Sequence, residues 1–414
     1  MRLPFCETSA RATVPPFQPP AHSPLTAADL RAAFRSVLVA DSSAKAAALR
    51  EIITRRLGPG QIALLGSGTS ALEVALRMAR DTLGDASASL VLPAYCCFDV
   101  ATAAVAAGMP VRFYDQDPQT LAPDLEGVTK ATEEGGRVVV VAPLFGYPFP
   151  WDDLRAVAAA RGALLVEDAA QAAGASWEGR AVGSQGDLTV LSFGRGKGWT
   201  GGGGGAVIVR DSRVLHGAWE GWALRSAIGA APMVGSIVQW AFGRPGLYGI
   251  PAGIPALGLG ETHYREPRVP TGISAFSVAL AVATADQSER ELDVRTEVAG
   301  SLVEAIDRLG MGGEVTLVRP ISGAKAGFLR LPVLLRRARR LPQARARALG
   351  IAPGYPRPLP ELGALARLRT GGFGTYPGAR RLARELVTLP THRFITPSVR
   401  DRIVDLIADL RDGP

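Results

Sequence analysis

The sequence predicts an α/β protein whose main sheet is mostly parallel and carries helices on both faces. Short runs of β-forming apolar residues alternate with amphipathic helical runs between residues 62 and 209, which is the pattern of repeated βα units. The chain has 414 residues, of which 47% are hydrophobic, so it can build one large domain and a smaller one. We expect the smaller domain, of α+β type, at the C-terminal end.

Residues 1–56 are expected to form an N-terminal arm and two helices. Residues 1–24 are rich in proline and predict an irregular arm. Thr26 and Asp29 have the spacing of a capping box, which marks the start of a helix. The helices are predicted at Leu25–Leu38 and Ser43–Leu57.

Residues 57–272 are expected to form the large α/β domain. The strands of its sheet are predicted at Ile62–Leu65, Leu90–Pro93, Val111–Tyr114, Val138–Pro143, Leu164–Glu167, Leu188–Phe193 and Ala206–Val209. The helices between them are predicted at Ala71–Leu83, Val100–Ala107 and Trp151–Arg161. Gly201–Gly205 leads directly into the last strand, so we expect a tight loop there rather than a linker.

Within this domain, residues 226–259 have the character of a hydrophobic insertion. Ser226–Gly243 has no charged residue, but it is short for a membrane span and contains Pro232 and three glycines. We therefore expect a buried or interface-covering segment. A peripheral membrane contact is the weaker alternative.

Residues 273–414 are expected to form a linking helix and the small α+β domain. Thr396 precedes Pro397, which is typical of a helix N-cap followed by proline in the first turn. Helices are predicted at Ile273–Arg295, Gly300–Leu309, Leu341–Leu349 and Pro397–Leu410, and strands at Val315–Arg319 and Gly327–Leu335.

Charge and cysteine content narrow the class of protein. The formal net charge is +8 and the sequence pI is near 9.8. The arginines are scattered, so solvated helix faces explain them better than a nucleic-acid patch does. Cys6, Cys96 and Cys97 are too few for a disulfide framework or a zinc site, so we expect no metal. No secretory signal is visible, which predicts a cytoplasmic protein.

The loop between the last two predicted strands holds the candidate catalytic residue, Lys197. The chain has four lysines against forty-two arginines, and arginine cannot form a Schiff base because its guanidinium stays protonated. Gly194 and Gly196 leave room for a flat ligand beside the lysine. Ser192 adds a hydroxyl group five residues before it.

Two other segments complete the candidate site. Ser67–Leu72, SGTSAL, lies at a strand-to-helix junction, where free N–H groups and the helix dipole favour a phosphate. Its hydroxyl residues are also ordinary helix caps. Asp168 ends the strand LLVED at the edge where α/β sheets bind ligands, although it could equally cap the next helix.

These groups match the needs of pyridoxal 5'-phosphate (PLP). This cofactor needs a lysine for its Schiff base, a carboxylate beside its pyridine nitrogen and a cup for its phosphate. Lys197, Asp168 and the loop Ser67–Ser70 supply these groups in turn. PLP is therefore the expected cofactor.

The same segments resemble the DegT/StrS family of sugar aminotransferases, which belong to fold-type I of the PLP enzymes. The resemblance runs from about Leu57 to the C-terminus. It rests on VLPAY, FYDQDPQTLAPDLEGV, PLFGYPFPWDDL, VEDAAQAAGA, SFGRGKG, ALGIAPGYPRPL and LPTHRFITP. It implies a mainly parallel seven-stranded sheet, and a homodimer whose active sites lie at the subunit interface.

The resemblance also implies residue roles. Lys197 would carry the cofactor as a Schiff base, Asp168 would pair with its pyridine nitrogen, and Gln171 would approach its ring or hydroxyl. The phosphate would be held by Gly68, Thr69, Ser70 and Ser192.

Two positions depart from the family pattern. Cys97 stands where the family usually places an aromatic ring against the cofactor, so Phe98, Cys97 itself or a residue of the partner subunit could take that place. The asparagine and arginine that the family contributes from the partner subunit have no clear counterpart at Pro270–Ser274. This second departure argues against a nucleotide-sugar substrate.

The resemblance implies an aminotransferase that moves an amino group from an amino-acid donor to a keto sugar or a related small keto compound. Lys197 would also shuttle a proton between the donor and the cofactor. Two alternatives remain: a PLP-dependent dehydratase or lyase of the same fold, and a catalytically silent PLP-binding protein with a structural or regulatory role.

Overall fold

The structure, a computed structural model, describes residues 17–39, 42–215, 231–254, 262–371 and 374–411. Its strands are β1 Gln61–Leu65, β2 Ser89–Pro93, β3 Val111–Tyr114, β4 Gly136–Val141, β5 Leu164–Asp168, β6 Ser176–Trp177, β7 Arg180–Ala181, β8 Leu188–Ser192, β9 Gly205–Val209, β10 Val315–Leu317, β11 Ala324–Lys325, β12 Leu331–Leu335, β13 Ala352–Pro353 and β14 Leu386–Leu389.

The helices follow the strands in alternation through the first half of the chain. They are α1 Ala27–Val39, α2 Ser42–Leu57, α3 Gly68–Leu83, α4 Phe98–Ala107, α5 Leu125–Glu133, α6 Asp152–Ala160, α7 Ser212–Leu215, α8 Ala231–Phe242, α9 Gly249–Ala252, α10 Ala275–Ala283, α11 Ala285–Asp307, α12 Gln343–Ala348, α13 Pro377–Glu385 and α14 Pro397–Ala408. None of the helices in these described ranges is long and apolar enough to cross a bilayer.

The main sheet has seven strands in the order β1-β9-β8-β5-β4-β2-β3. The strands from β8 to β3 in this order pair in parallel, whereas β9 is antiparallel to both of its neighbours. The expected mainly parallel sheet is thus confirmed. Because β5 and β8 are parallel neighbours, their C-terminal ends lie side by side at one edge of the sheet.

Both faces of this sheet are buried, as a parallel sheet requires. On β4, Val138 and Val140 belong to the core beneath α3 and α4, while Val139 and Val141 pack with Trp151 on the other face. This alternation follows from the two-residue period of a strand. It explains why the strands read as continuous apolar runs in the sequence.

The C-terminal half differs in detail from the sequence expectation. The single helix predicted at 273–295 is wrong: a break at Thr284 separates α10 from α11, and the Thr284 hydroxyl donates to the Thr200 carbonyl oxygen. A new helix at Gly300 is also wrong, because α11 continues through it; glycine inside a helix costs only about 1 kcal/mol. The helix α5 and the segment from α13 to β14 were not predicted.

A second sheet, in the order β10-β12-β14-β13, lies in this half and has its own apolar core with α14 and the end of α11. The two expected helix starts are confirmed. Thr26 and Asp29 exchange backbone-to-side-chain hydrogen bonds in both directions, and the Thr396 hydroxyl accepts from the Val399 N–H. The domain boundaries at 57 and 273 stay predictions.

The glycine-rich loop before β9 is tight, as expected. Gly202 has φ +71°, and a Cβ there would overlap Ser236 Oγ of α8. At Gly205, a Cβ would lie 2.6 Å from the Leu191 carbonyl oxygen. The hydrophobic insertion therefore packs directly onto the loop that follows Lys197, and only hydrogen fits at these positions.

The insertion is described from residue 231 to 254; the parts predicted at 226–230 and 255–259 lie outside the described residues. Met233 and Trp240 pack against the core formed by α1 and α10. The apolar side chains that stay exposed in the single chain are Val234, Ile237, Val238, Leu247, Ile250 and Ile254.

Candidate active site

The N-terminus of α3 lies against the end of β8. Ser67 is the N-cap, and its Oγ accepts from the Ser70 N–H at 3.0 Å and donates to the Ser70 hydroxyl oxygen at 2.9 Å. A Cβ at Gly68 would lie 2.7 Å from the Ser192 side chain, so the missing side chain lets strand and helix meet. Gly68, Thr69, Ser70 and Ser192 are therefore grouped around one helix end, whose first-turn N–H groups lack intrahelical acceptors.

The loop that carries Lys197 is held from two sides. On one side, Ser23 of the N-terminal arm accepts a hydrogen bond from the Gly196 N–H at 2.8 Å. On the other, a Cβ at Gly198 would collide with the guanidinium of Arg295, which donates to the Ala173 carbonyl oxygen at 3.1 Å. Both contacts fix the backbone immediately before and after the lysine. Sequence reasoning did not anticipate the part played by the arm.

Asp168 ends β5, next to this loop. Its Oδ1 accepts from the Ala170 N–H at 3.1 Å, so it does cap the following turn. Burial raises the pKa of Asp168, and the nearby Lys197 ammonium acts in the opposite direction. The same ammonium lowers the pKa of Cys96 and Cys97, against the larger effect of burial. Lys197 and Asp168 therefore lie within electrostatic reach of each other at the C-terminal edge of the sheet.

The adjacent acid, Glu167, has a different role. It is fully buried and accepts from three backbone N–H groups and the Thr189 hydroxyl. The N–H groups belong to Gly183, Gln185 and Gly186. Because all these partners belong to the chain itself, Glu167 holds the 183–186 turn. Of the two neighbouring acids, only Asp168 is left beside the lysine.

Gln171 bridges two other segments near the site. Its Oε1 accepts from the Phe145 N–H at 3.0 Å, and its Nε2 donates to the Tyr355 hydroxyl at 2.8 Å. Phe145 has φ +57°, an unusual conformation for a non-glycine residue that is concentrated at functional sites. The Tyr355 N–H in turn donates to the Tyr95 hydroxyl at 2.7 Å. The sequence contained no signal for these partners beyond the family-like segments in which they lie.

Cys97 precedes α4 and is partly exposed, whereas Phe98 is 4% exposed and packed in the large core. The Phe98 ring is thus committed to the core and does not offer a face to the site. Burial raises the pKa of Cys97 to about 12, and the Asp99 carboxylate adds to this shift. At neutral pH the residue therefore presents an uncharged, polarizable thiol.

Pro270–Ser274 connects the main sheet to α10. The Thr271 carbonyl oxygen accepts from the Gly66 N–H at 2.7 Å, and Ser274 caps α10 through its Oγ.

A cavity of about 250 Å³ lies between α2, α11 and the turn after β5. Ser192 lines this cavity but Lys197 and Asp168 do not, so the cavity lacks the reactive groups.

The described part of the chain has the fold of the fold-type I aminotransferases. The aminotransferase TlmJ from Streptoalloteichus hindustanus superposes with a TM-score of 0.70 at 21% identity, covering 94% of this chain and 97% of that one. The sugar aminotransferase CalS13 from Micromonospora echinospora gives 0.69 at 22% identity, covering 96% and 100%. The protein Spr1654 from Streptococcus pneumoniae, solved in a PLP form, gives 0.69 at 20% identity, covering 95% and 98%.

Sequence similarity then gives the family. Residues 28–219 match the DegT/DnrJ/EryC1/StrS aminotransferase family, in agreement with the resemblance seen in the sequence. An L-glutamine:2-deoxy-scyllo-inosose aminotransferase from Streptoalloteichus tenebrarius is 36% identical over 36% of this chain and 35% of its own length.

A second relative is a dTDP-4-dehydro-2,3,6-trideoxy-D-glucose 4-aminotransferase from Saccharopolyspora spinosa. It is 32% identical over 39% of this chain and 41% of its own length. The similar segments thus span less than half the length of these curated relatives.

Proposed function

We propose that the chain is a PLP-dependent aminotransferase that moves an amino group from an amino-acid donor to a keto sugar or a related small keto compound. The observation that carries this proposal is the placement of Lys197 beside Asp168, at the sheet edge where the α3 N-terminus meets Ser192. The family match over residues 28–219 supports it. A homodimer in the cytoplasm is part of the same proposal.

The residues of the site fit PLP in three respects. Because Gly68 has no side chain, the N-terminus of α3 lies close to Ser192. Together they would hold a dianionic phosphate. Asp168 is desolvated, which makes it a strong partner for a protonated ring nitrogen. The uncharged Cys97 can contact a flat ring.

When bound, PLP supplies an aldehyde that takes up the amino group and a ring that withdraws electron density from the donor carbon. The chain supplies the rest. Lys197 would offer its amine for covalent attachment and would carry a proton at Nζ, and Asp168 would keep the ring nitrogen protonated. Gln171 is fixed by Phe145 and Tyr355, so it can hold its position at the rim of the site.

Reduction of the holoprotein with borohydride tests the assignment of the lysine. We expect a cofactor adduct on Lys197 in the wild type and no adduct in Lys197→Ala, with the fold unchanged by circular dichroism. Lys325→Ala is the matched control, because Lys325 is exposed and lies in the short strand β11. An adduct on another lysine would remove the basis of the proposal.

A half-reaction separates the aminotransferase from its alternatives. An aminotransferase converts an amino donor to its keto acid in one stoichiometric turnover without any acceptor. A dehydratase or lyase of this fold, or a silent cofactor-binding protein, does not. The measurement is the loss of the PLP absorption band together with keto-acid release after addition of L-glutamine, the donor in the name of one relative.

The insertion is the second part of the proposal: we propose that residues 226–259 cover the active-site mouth or the dimer interface and help to select the acceptor. The Tyr248 hydroxyl lies within electrostatic reach of the Arg330 guanidinium, and Gly249 lies against the Phe17 ring of the arm. The exposed apolar side chains of α8 and α9 would be covered by a partner subunit.

Replacement of residues 226–259 by a short linker tests this role. We expect the covalent cofactor link to persist, while acceptor turnover or dimerisation is lost, as measured by steady-state kinetics and by light scattering. The same kinetics and the same oligomer in the shortened chain would make the insertion a surface elaboration. Binding of the intact protein, but not of the shortened one, to lipid vesicles would favour the membrane alternative.

A further inference from the structure

Arg330, a partly buried arginine, lies just before β12 without an acidic partner among the described residues. Among the described residues it forms no salt bridge, and its Nε is fully buried without a hydrogen-bond acceptor. Its Nη2 makes only long contacts, of 3.4 Å to the Gly350 carbonyl oxygen and 3.5 Å to that of Thr388. Buried polar atoms nearly always have a hydrogen-bond partner, so the Arg330 Nε calls for an acceptor, and an anion would also balance the charge.

Arg330 is connected to the candidate active site by a short chain of hydrogen bonds. The N–H of the preceding residue, Leu329, donates to the Phe145 carbonyl oxygen at 3.0 Å. The Phe145 N–H donates to Gln171, and Gln171 donates to Tyr355. The Arg330 guanidinium also lies within electrostatic reach of the Tyr355 hydroxyl, at the end of this chain.

The surroundings of Arg330 are positive or neutral. Burial lowers the pKa of Arg330 to about 10, and the groups that oppose this shift are the Tyr355 and Tyr248 hydroxyls rather than any carboxylate. Arg347 lies near the same Tyr248. Gln18 of the arm, whose Cβ lies near Gly350, also has a buried Oε1 without a partner. The region around Arg330, which we call the Arg330 pocket, thus combines a charge without a counter-charge and polar atoms without hydrogen-bond partners.

We propose that Arg330, assisted by Tyr248, binds the carboxylate of a substrate in the aminotransferase reaction, and that this carboxylate is the one on the amino-acid donor. This inference rests on the proposed function. A single guanidinium matches one carboxylate in charge and in planar geometry, and every amino-acid donor carries that group. The Tyr248 hydroxyl supplies a further hydrogen-bond donor from the insertion.

Binding of succinate, a carboxylate that cannot react, tests the pocket directly by calorimetry on the holoprotein. We expect Arg330→Gln to weaken succinate at least tenfold, Arg330→Lys to weaken it less, and Tyr248→Phe to weaken it two- to threefold. Arg319→Gln is the matched control: it removes the same charge from an exposed pair with Asp307 and should bind succinate like the wild type.

Two results would overturn the carboxylate site: unchanged succinate affinity in Arg330→Gln, or inorganic phosphate binding more tightly than succinate. If Arg330→Gln does not fold, as judged by thermal unfolding, Arg330→Lys and Tyr248→Phe carry the same test. Unchanged affinity in both would then reject the proposal.

The two half-reactions identify the source of the carboxylate. If it belongs to the donor, Arg330→Lys raises the apparent KM for L-glutamine in the first half-reaction and leaves the acceptor step unchanged. A defect confined to the acceptor step contradicts the donor assignment and places the carboxylate on the keto compound. If the wild type binds succinate but shows neither half-reaction, the aminotransferase proposal fails while the anion site stands.

Discussion

The sheet edge around Lys197 places a carboxylate, Asp168, beside the lysine, whereas no carboxylate acts on Arg330, and the two regions are built in different ways. At the sheet edge, the groups come from short contiguous segments, each at the end of a strand or the start of a helix. The Arg330 pocket is assembled from residues far apart in the sequence: Gln18, Tyr248, Arg330, Tyr355 and His392.

The comparison shows what a local motif can encode. A helix N-terminus or a strand end binds a ligand through backbone geometry, which a few consecutive residues determine. An anion site built on one arginine depends on distant segments that surround the arginine without giving it an acidic partner. The N-terminal arm joins the two regions, since Ser23 contacts the lysine loop and Pro19 contacts His392.

The largest effect that separates the two regions is expected from Asp168→Asn. Loss of a charge-assisted hydrogen bond in a closed site is worth on the order of 2–4 kcal/mol, so turnover should fall roughly 30- to 1,000-fold. Succinate binding at Arg330 should be unaffected, because Asp168 does not contact that pocket. Single-turnover kinetics and calorimetry on the same preparation measure both quantities.

Glu167→Gln provides the contrast for this variant. It disturbs four hydrogen bonds inside the fold, so it should lower the free energy of unfolding by about 1–3 kcal/mol while each folded molecule keeps its turnover. If Asp168→Asn behaves in the same way, with near-normal turnover, then Asp168 is only the cap of the turn that begins at Ala170.

Much of the fold could be predicted from the sequence because its strands are buried on both faces and its helices begin with clear caps. The strand from Leu164 ends where expected, give or take one residue. The break at Thr284 could not be predicted, because it depends on a hydrogen bond to Thr200, which is distant in sequence. The uninterrupted helix across Gly300 shows the converse: packing outweighs a weak local signal.

The same distinction between local and distant determinants applies to the candidate site. Lys197, Asp168 and Ser192 were named from local pattern, and the structure brings them to one edge of the sheet. The stacking position could not be assigned from the sequence, because only the structure shows that the Phe98 ring is buried in the core. Arg330 is one arginine among forty-two, and only the described structure shows that its buried Nε has no acceptor.

A smaller effect is expected on the free energy of unfolding. Its dependence on pH should have opposite signs for groups in the two regions. Burial raises the pKa of Asp168, so the folded protein binds a proton more tightly there than the unfolded chain does, and this group favours folding as the pH falls. His392 acts in the opposite direction. Burial lowers the pKa of His392 to about 4, and its Nε2–H donates to the Pro19 carbonyl oxygen at 2.7 Å.

Because the unfolded chain protonates this histidine near its usual pKa of 6.5, while the folded protein does so only near 4, stability is lost as the pH falls through this window. His392 should therefore lower the free energy of unfolding by about 2 kcal/mol between pH 7 and pH 5. His392→Gln can keep the donor to Pro19 and should reduce this loss, leaving the part due to His22, whose pKa burial also lowers to about 4. Urea unfolding of wild type and variant at both pH values measures the difference. If the free energy of unfolding falls equally for the wild type and the variant between pH 7 and pH 5, the acid sensitivity of the fold lies outside the Arg330 pocket.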